Sequence, residues 1–355
     1  MNVIYKISSF LILTIFSHIG QCKIQINENS NHVASYPLLM PNVSPKVPEL
    51  YLCTPVRVDS SKDYYIIGFE PNATMQTAHH MLIYGCTKPG SSKSIWNCGE
   101  MTRGSTDNGL PLAAACSGGS QIIYAWAKNA LRLNLPKDVG FKVGGQTKIQ
   151  YLVLQVHYAH VDHFLDGSTD DSGVFLHYTL KPMSNQAGVY LLGTGGSIRA
   201  RSTELMEVAC SLDENKTIYP FAYRVHTHSL GHLVSGYAIE PRTNEWIELG
   251  KMDPQRAQMF YPIHNKNPIY QNFTLAARCT MISNRDRVTY IGSTNKDEMC
   301  NFYLMYYVKG GEPLNDKYCF SAGPPFYSWK TQGYRNIPDK EASTMGKLPD
   351  YIKEE

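Results

Sequence analysis

Three residues in the stretch YPFAYRVHTHSLGH could do chemistry together, because Arg224, His226 and His228 are spaced two apart. In an extended strand, side chains at i, i+2 and i+4 share one face, so we expect all three to point the same way. His-x-His on a strand can supply two imidazole ligands to zinc, copper, iron or nickel. A strand that only filled a core would carry apolar side chains on that face. The row is therefore a candidate metal-binding and basic face.

A second motif, DEMCNFYLMYY at residues 297–307, offers a further ligand for the same metal. On a strand, its odd-numbered side chains share one face and its even-numbered side chains form an apolar face opposite: Met299, Asn301, Tyr303 and Met305 against Cys300, Phe302 and Leu304. Polar groups on the odd face cost free energy unless they have partners, so the alternative to a functional face is a cross-strand hydrogen-bonding ladder. A thioether beside two imidazoles favours copper, Cu(I) in particular.

Two more motifs contain clustered histidines. His79 and His80 open a strand-like run, where adjacent side chains face opposite sides, so both can bind one metal only at a strand end or a bulge. The alternative is one buried and one exposed histidine. In LQVHYAHVDHF, His157 ends a strand, whereas His160 and His163 fall in a polar loop. We therefore expect one functional histidine in this motif rather than three.

The elements that must position these residues are predicted to be strands. Short alternating or β-branched runs such as DYYIIGFE and KIQYLVLQVHY recur between clusters of Gly, Pro, Asn and Ser, a pattern typical of antiparallel sandwiches. The fold prediction is all-β, with two tandem antiparallel sandwiches over residues 38–183 and 184–330. An N-terminal arm over residues 23–37 precedes them, and a polar tail over residues 331–355, either wrapped or loose, follows.

Composition and the N-terminus indicate a secreted globular protein. Of the 355 residues, 43% are hydrophobic and 18% charged, and a net charge of +3 is too weak to argue for nucleic acid. Lys6 followed by ISSFLILTIFSHIG predicts a signal peptide over residues 1–22, with a membrane anchor as the alternative. We therefore expect the mature chain in the lumen of the secretory pathway, in secretory granules or outside the cell, without stable membrane insertion.

Cysteines and sequons agree with that compartment. Removal of Cys22 with the signal peptide leaves an even number of cysteines, as a disulfide framework requires: Cys53, Cys86, Cys98 and Cys116 in the first half, and Cys210, Cys279, Cys300 and Cys319 in the second. Pairing within halves allows three schemes for each half, and the residues alone do not choose among them. The glycosylation candidates are Asn42, Asn72, Asn215 and Asn272.

Four of these motifs occur in an order that resembles a known family. HHMLIYGC, LQVHY, FAYRVHTHSLG and DEMCNFYLMYY are similar to the copper-site signatures of the copper type II, ascorbate-dependent monooxygenases, over a stretch from about Pro41 to Cys319. Within that family the motifs are most similar to those of the branch that hydroxylates glycine-extended peptides. The resemblance implies two jelly-roll-like β-sandwich domains, each supplying one copper.

The resemblance also implies which residues hold each copper. The first copper serves electron transfer and would be held by His79, His80 and His157. The second copper is where oxygen and peptide meet and would be held by the catalytic residues His226, His228 and Met299. In this family the coppers lack a direct bridge and face each other across a solvent-filled cleft. Ascorbate is the implied reductant and O₂ the co-substrate, since hydroxylation needs two electrons and no flavin or haem signature is present.

The remaining site residues follow from the same resemblance. Arg224 would pair with the terminal carboxylate of a glycine-extended peptide. Tyr303, also counted as catalytic, and Asn301 would add hydrogen bonds to the substrate, and Met305 would line the pocket. Gln155 faces the first copper's side. The product would be a peptidyl hydroxyglycine, on which we expect a separate lyase to act, since we expect no lyase domain of the kind fused to some relatives. The protein is expected to be a monomer.

The resemblance selects one disulfide scheme, namely Cys53–Cys98, Cys86–Cys116, Cys210–Cys319 and Cys279–Cys300. Two positions depart from the family pattern. Ser172 stands where many relatives have a cysteine bonded to the N-terminal segment, so we expect a looser N-terminal arm. His232 is interpreted as a surface residue rather than a ligand.

Two other functions fit part of the pattern. An amine hydroxylase of the dopamine beta-monooxygenase type would need no cationic partner for a peptide carboxylate, so Arg224 argues against it. A non-catalytic secreted copper-binding β-protein would account for the histidine and methionine ligands but not for the polar face beside them.

Overall fold

The computed structural model describes residues 33–99, 109–294 and 296–346, and the regular structure in them is almost entirely strand. In the described part of the first half there are the 3₁₀ helix Asp162–Phe164 and twelve strands: β1 (Ala34–Leu39), β2 (Leu50–Arg57), β3 (Asp63–Asn72), β4 (His80–Cys86), β5 (Lys88–Pro89), β6 (Trp96–Asn97), β7 (Cys116–Gly118), β8 (Gln121–Ala127), β9 (Leu133–Asn134), β10 (Val139–Gly144), β11 (Tyr151–Tyr158) and β12 (Gly173–Thr179). The all-β prediction is confirmed.

The second half contributes a further eleven strands: β13 (Asn185–Thr194), β14 (Ser197–Ile198), β15 (Thr203–Ser211), β16 (Tyr219–His226), β17 (Gly231–Ile239), β18 (Trp246–Met252), β19 (Tyr261–Pro262), β20 (Thr274–Ile282), β21 (Thr289–Tyr290), β22 (Asn301–Lys309) and β23 (Tyr318–Ser321). Among the described residues, none forms a helix that is long and apolar enough to cross a bilayer. The signal-peptide prediction for residues 1–22 lies outside the described residues.

The strands form two sandwiches that share one sheet. A ten-stranded sheet runs β1-β12-β3-β10-β13-β22-β16-β19, with β9 beside β3 and β23 beside β13. A five-stranded sheet, β6-β2-β11-β4-β8, belongs to the first half, and a four-stranded sheet, β15-β20-β17-β18, belongs to the second. The halves join where Val139 and Gly140 of β10 pair in parallel with β13. The boundary between the predicted sandwiches therefore falls inside a continuous sheet.

Strand β22 is buried on both faces, because the cores of the two halves pack on opposite sides of the shared sheet. Phe302 and Leu304 belong to the core of the second half, whereas Tyr303 and Met305 belong to the core of the first half. The even face is apolar, as predicted. The odd face is also largely buried, so it brings residues of the second half against the first.

The four disulfides in the structure are those that the resemblance implies: Cys53–Cys98, Cys86–Cys116, Cys210–Cys319 and Cys279–Cys300. Each one stays within one half of the chain. Cys279–Cys300 fastens β20 to the residue that precedes β22. It therefore anchors the backbone next to Met299.

The described part of the N-terminal arm is a strand rather than a loose segment. Residues of β1 pair along their whole length with β12, from Ala34 opposite Tyr178 to Leu39 opposite Gly173. Ser172, the position that departs from the expected family pattern, is buried and its hydroxyl donates to Asp170 Oδ1 at 2.7 Å. The expectation of a looser arm is therefore wrong for residues 34–37, because a backbone ladder ties the arm to the sheet.

The polar tail wraps onto the second half over residues 331–346. Arg278, which is buried, forms ion pairs with Glu207 and Asp339, and its guanidinium lies over the Trp329 ring at 4.5 Å. The hydroxyl of Ser235 donates to the Ala342 carbonyl at 3.0 Å. Of the two alternatives for the tail, wrapping is the one seen.

The glycosylation candidates differ in exposure. Asn42, Asn215 and Asn272 are exposed, whereas Asn72 is half-buried and its side-chain amide donates to the Asp171 carbonyl at 3.3 Å. Glycan attachment therefore remains a prediction, and it suits the exposed Asn42, Asn215 and Asn272 better than the half-buried Asn72.

Candidate metal centre

The structure brings His79, His80 and His157 together as a first donor group. His79 precedes β4 and His80 begins it, so the two lie at a strand end, where adjacent residues can turn toward one point. His157 of β11 is the cross-strand partner of His80. The Nδ1 atoms of His79 and His157 are 3.2 Å apart, and those of His79 and His80 are 3.4 Å apart. Two nitrogens bound about 2 Å from one metal have a separation of this size.

Burial keeps these imidazoles neutral, as metal ligands must be. Burial, together with the neighbouring His157, lowers the pKa of His79 to about 4. Burial also holds the pKa of His80 well below its usual value and lowers that of His157. At neutral pH each ring therefore offers a lone pair, and the three rings fit a metal ion that prefers imidazole.

Glu49 and Tyr51 orient His157. Glu49 directly precedes β2, and Tyr51 lies in it. His157 Nε2 donates a hydrogen bond to Glu49 Oε2 at 2.7 Å, which leaves Nδ1 directed toward His79. The Tyr51 ring stacks on the His157 ring with centroids 4.0 Å apart, and its hydroxyl donates to the Ser293 carbonyl at 2.9 Å. A carboxylate on the far nitrogen of a ligating histidine is a common arrangement around metals.

The resemblance implies a second donor group, formed by His226, His228 and Met299. Arg224 and His226 lie on one face of β16, as predicted, but the strand ends at His226 and His228 lies in the loop that follows. The prediction of one continuous strand row is therefore wrong for His228. The rings of His226 and His228 nevertheless lie close together, with centroids 5.4 Å apart.

Hydrogen bonds orient both rings of the second donor group in the same sense. His226 Nδ1 donates to Gln258 Oε1 at 2.6 Å, and His228 Nδ1 donates to the Asp297 carbonyl at 3.1 Å. Each ring then has Nε2 as its lone-pair nitrogen. Burial, with the nearby Arg224 guanidinium, holds the pKa of His226 well below its usual value. Both imidazoles can therefore present Nε2 to a metal.

Glu298 connects Met299 to the histidines. Its carboxylate is buried and accepts hydrogen bonds from the backbone N–H groups of His228 at 2.9 Å, Leu230 at 2.6 Å and Met299 at 3.2 Å. The Met299 sulfur lies 3.9 Å from the side-chain amide of Asn301, which is the cross-strand partner of His226. Two imidazoles and a thioether, as the resemblance implies, would suit copper and Cu(I) in particular.

Arg224 is a buried cation that hydrogen-bonds to two uncharged residues, Gln258 and Tyr303. Its side chain is 2% exposed, and it donates to the Gln258 carbonyl at 2.8 Å and to Gln258 Oε1 at 3.3 Å. The guanidinium also lies over the ring of Tyr303, its cross-strand partner, at 5.1 Å. Burial lowers the pKa of Arg224, because the charged form loses solvation. Such a charge is costly to bury unless an anion joins it.

Two predicted site residues lie elsewhere. Met305 is fully buried in the core of the first half, so it fills that core rather than lining a pocket. Gln155 lies against a disulfide, where its amide donates to the Cys98 carbonyl at 3.2 Å. Each of the two lies on the strand face that the sequence predicted, but other residues cover that face at its position. His160, His163 and His232 are exposed, in agreement with their interpretation as non-ligands.

The two donor groups adjoin each other. The rings of His80 and His226 are in edge-to-face contact, with centroids 5.7 Å apart. Beside them lies a cavity of about 250 Å³ lined from both halves, including His79, Lys128, His226, His228, Ser229 and Gln255. The open solvent-filled cleft implied by the resemblance is therefore not the arrangement in this structure, where residues of the two halves touch.

Sequence reasoning missed the residues that support the two groups. Gln258, Glu298, Glu49 and Lys128 reach the site by contacts between segments distant in the chain, and their types are common on any surface. Only Glu298 carried a local signal, because it directly precedes Met299.

Family models match both halves of the chain. The model described as "Copper type II ascorbate-dependent monooxygenase, N-terminal domain" matches residues 36–165. The model of the corresponding C-terminal domain matches residues 185–332. The first range contains the first donor group and the second range contains the second.

Curated relatives cover most of this chain. A peptidyl-glycine alpha-amidating monooxygenase of Mus musculus is 37% identical over 89% of this chain and 31% of its own length. Peptidyl-glycine alpha-amidating monooxygenase A of Xenopus laevis is 38% identical over 88% of this chain and 31% of its own. A dopamine beta-hydroxylase of Rattus norvegicus is 27% identical over 69% of this chain and 40% of its own. The chain thus spans less than half the length of these relatives.

Solved structures add no argument, since a subviral particle protein of infectious bursal disease virus matches with a TM-score of 0.21 and 9% identity over 81% of this chain and 75% of that one. The family assignment stands on the two domain matches and on the order of the motifs. The chain belongs to the copper type II, ascorbate-dependent monooxygenase family.

Proposed function

We propose that this protein hydroxylates the Cα of a C-terminal glycine in glycine-extended peptides, using copper, ascorbate and O₂. The observation that carries the proposal is Arg224, a buried cation with neutral hydrogen-bond partners beside the second donor group. A peptide carboxylate would supply its missing anion. The relatives named peptidyl-glycine alpha-amidating monooxygenase support the same substrate class.

The two donor groups fit two copper ions, which would supply one-electron redox chemistry at each group. The reaction requires two electrons and two protons, because O₂ gives one atom to the new hydroxyl and the other to water. Two ascorbate anions supply them, each losing one electron and one proton to become semidehydroascorbate. One-electron centres in a pair suit that stoichiometry.

The chain's own residues position the substrate. Arg224 binds the terminal carboxylate, with Tyr303 beneath the guanidinium to hold it in place. Asn301, across the ladder from His226, donates to the substrate near the same point. Because Arg224 and His226 lie two apart on β16, a carboxylate on Arg224 brings the adjacent glycine Cα toward the second donor group.

We place this reaction in the secretory pathway. Four disulfides and the predicted signal peptide favour an oxidising compartment. The hydroxyglycine product becomes an amidated peptide once its N–Cα bond is cleaved, a step that we assign to a separate lyase.

Oxygen consumption tests the proposal against its rivals. Purified protein loaded with copper and supplied with ascorbate is expected to consume O₂ with a glycine-extended peptide, and far less with the same peptide bearing a C-terminal amide. Faster consumption with dopamine than with the glycine-extended peptide would favour the amine hydroxylase. No consumption above background with any substrate would favour a copper-binding protein without catalysis.

Gln258 is expected to support both the metal and the substrate, since its Oε1 contacts His226 and Arg224. Gln258→Leu removes the acceptor for His226 and should lower the Cu(I) affinity of the second group about tenfold, as loss of an outer partner does. Competition with a Cu(I) chelator under argon measures this.

Gln258→Glu is the matched variant for that experiment. It keeps an acceptor for His226 but gives Arg224 an internal carboxylate, so copper affinity should persist while KM for glycine-extended peptides rises. If both variants lost copper to the same extent, Gln258 would act through folding and not through these two contacts.

A further inference from the structure

Lys128 is the cation among the residues that line the 250 Å³ cavity between the two halves. It follows β8 in the first half, and its ammonium donates to the Pro254 carbonyl at 2.9 Å and to Gln255 Oε1 at 3.1 Å, both in the second half. The two acceptors are uncharged, and an ammonium has a third N–H to offer. Lys128 is therefore a part-buried positive charge at a cavity that both donor groups border.

The surroundings of Lys128 favour an anion with several hydroxyl groups. Burial lowers the pKa of Lys128, and Asp253 and Glu298 oppose that effect without being among its hydrogen-bond partners. Ser229 and Gln255 give the cavity wall hydroxyl and amide groups, and Arg285 donates to the Ser229 hydroxyl at 3.0 Å. A polar wall with a cation at one side suits a small polyhydroxylated anion.

We propose that this cavity binds the ascorbate monoanion, with Lys128 as its cationic partner. The proposed hydroxylation of glycine-extended peptides, on which this inference rests, involves two anionic groups: the carboxylate of the peptide and the ascorbate monoanion. Arg224 is assigned to the carboxylate and does not line this cavity. The cavity borders His79 of the first donor group as well as His226 and His228 of the second, so a reductant bound there lies beside both.

Binding to the metal-free protein tests the inference without turnover. Saturation-transfer NMR under argon, with ascorbate as the probe, should detect binding by the wild-type chain. Lys128→Met keeps the length of the side chain and removes its charge, and it is expected to weaken ascorbate binding roughly tenfold or more. Lys128→Arg should retain most of the affinity.

Lys251→Met is the matched control. Lys251 is also a part-buried lysine that donates to a backbone carbonyl, that of Glu341, but it lies on β18 and does not line the cavity. Its replacement should leave ascorbate binding unchanged. Melting temperatures of all variants show whether Lys128 acts only by joining the two halves.

Steady-state kinetics with the copper-loaded protein distinguish ascorbate from the peptide. Lys128→Met should raise KM for ascorbate and leave KM for the glycine-extended peptide within about twofold. Unchanged ascorbate affinity in Lys128→Met would overturn the inference, and so would a rise in the peptide KM alone, which would assign Lys128 to the carboxylate. Hydroxylation by the wild-type chain would in either case still support the proposed function.

Discussion

Met299→Ala is expected to lower the rate of peptide hydroxylation at least about a hundredfold while the first donor group still binds copper. Loss of a residue that merely orients a metal ligand typically costs ten- to a hundredfold, so loss of a ligand itself should cost more. Met299 also supplies the one thioether of its group, and thioethers favour Cu(I). Met299→His should keep a metal bound there but still impair hydroxylation, because a harder ligand shifts the preference away from Cu(I).

X-ray absorption at the copper edge checks this directly. The wild-type protein in the reduced state should show a Cu–S contact that both Met299 variants lack. Met305→Leu is the matched control, because Met305 is a buried methionine of β22 that belongs to neither donor group. A volume-conserving change there is well tolerated. A Cu–S contact that survives in Met299→Ala would remove Met299 from the ligand set.

Arg224→Met is expected to raise KM for glycine-extended peptides about ten- to a hundredfold, the effect of losing a charge-assisted hydrogen bond worth roughly 1.5–3 kcal/mol. Methionine keeps an apolar stem over Tyr303 and limits the cavity that a smaller residue would leave. The copper content should stay unchanged, since Arg224 is not in either donor group.

A peptide with a C-terminal amide separates substrate binding from folding. The amide cannot form the ionic contact, so it should be a poor substrate for the wild type, and Arg224→Met should affect it much less. Equal losses for acid and amide, together with a lowered melting temperature, would mean that Arg224 serves stability and not the carboxylate.

Local sequence patterns predicted the strands and singled out the candidate histidines. His79 and His80 were placed at a strand end, and the structure has them there with His157 opposite. The period of two along a strand put Arg224 and His226 on one face, because side-chain alternation is a local property. It could not show that β16 ends at His226, which depends on the loop that Glu298 holds.

Tertiary arrangement accounts for what the sequence did not predict. The odd face of β22 is buried by the first half, because the ten-stranded sheet continues across the domain boundary, and no pattern within β22 encodes that neighbour. Gln258 and Lys128 reach the site from segments far along the chain from the residues they contact. Their roles depend on contacts between distant segments, which the sequence alone does not show.

Mass spectrometry of the product under ¹⁸O₂ tests the central claim most directly. Copper-loaded protein, ascorbate and a glycine-extended peptide should yield a peptide that carries one ¹⁸O atom, located by fragmentation on the Cα of the terminal glycine. Product without the label, or with the label on another residue or on an amine substrate only, would contradict the account.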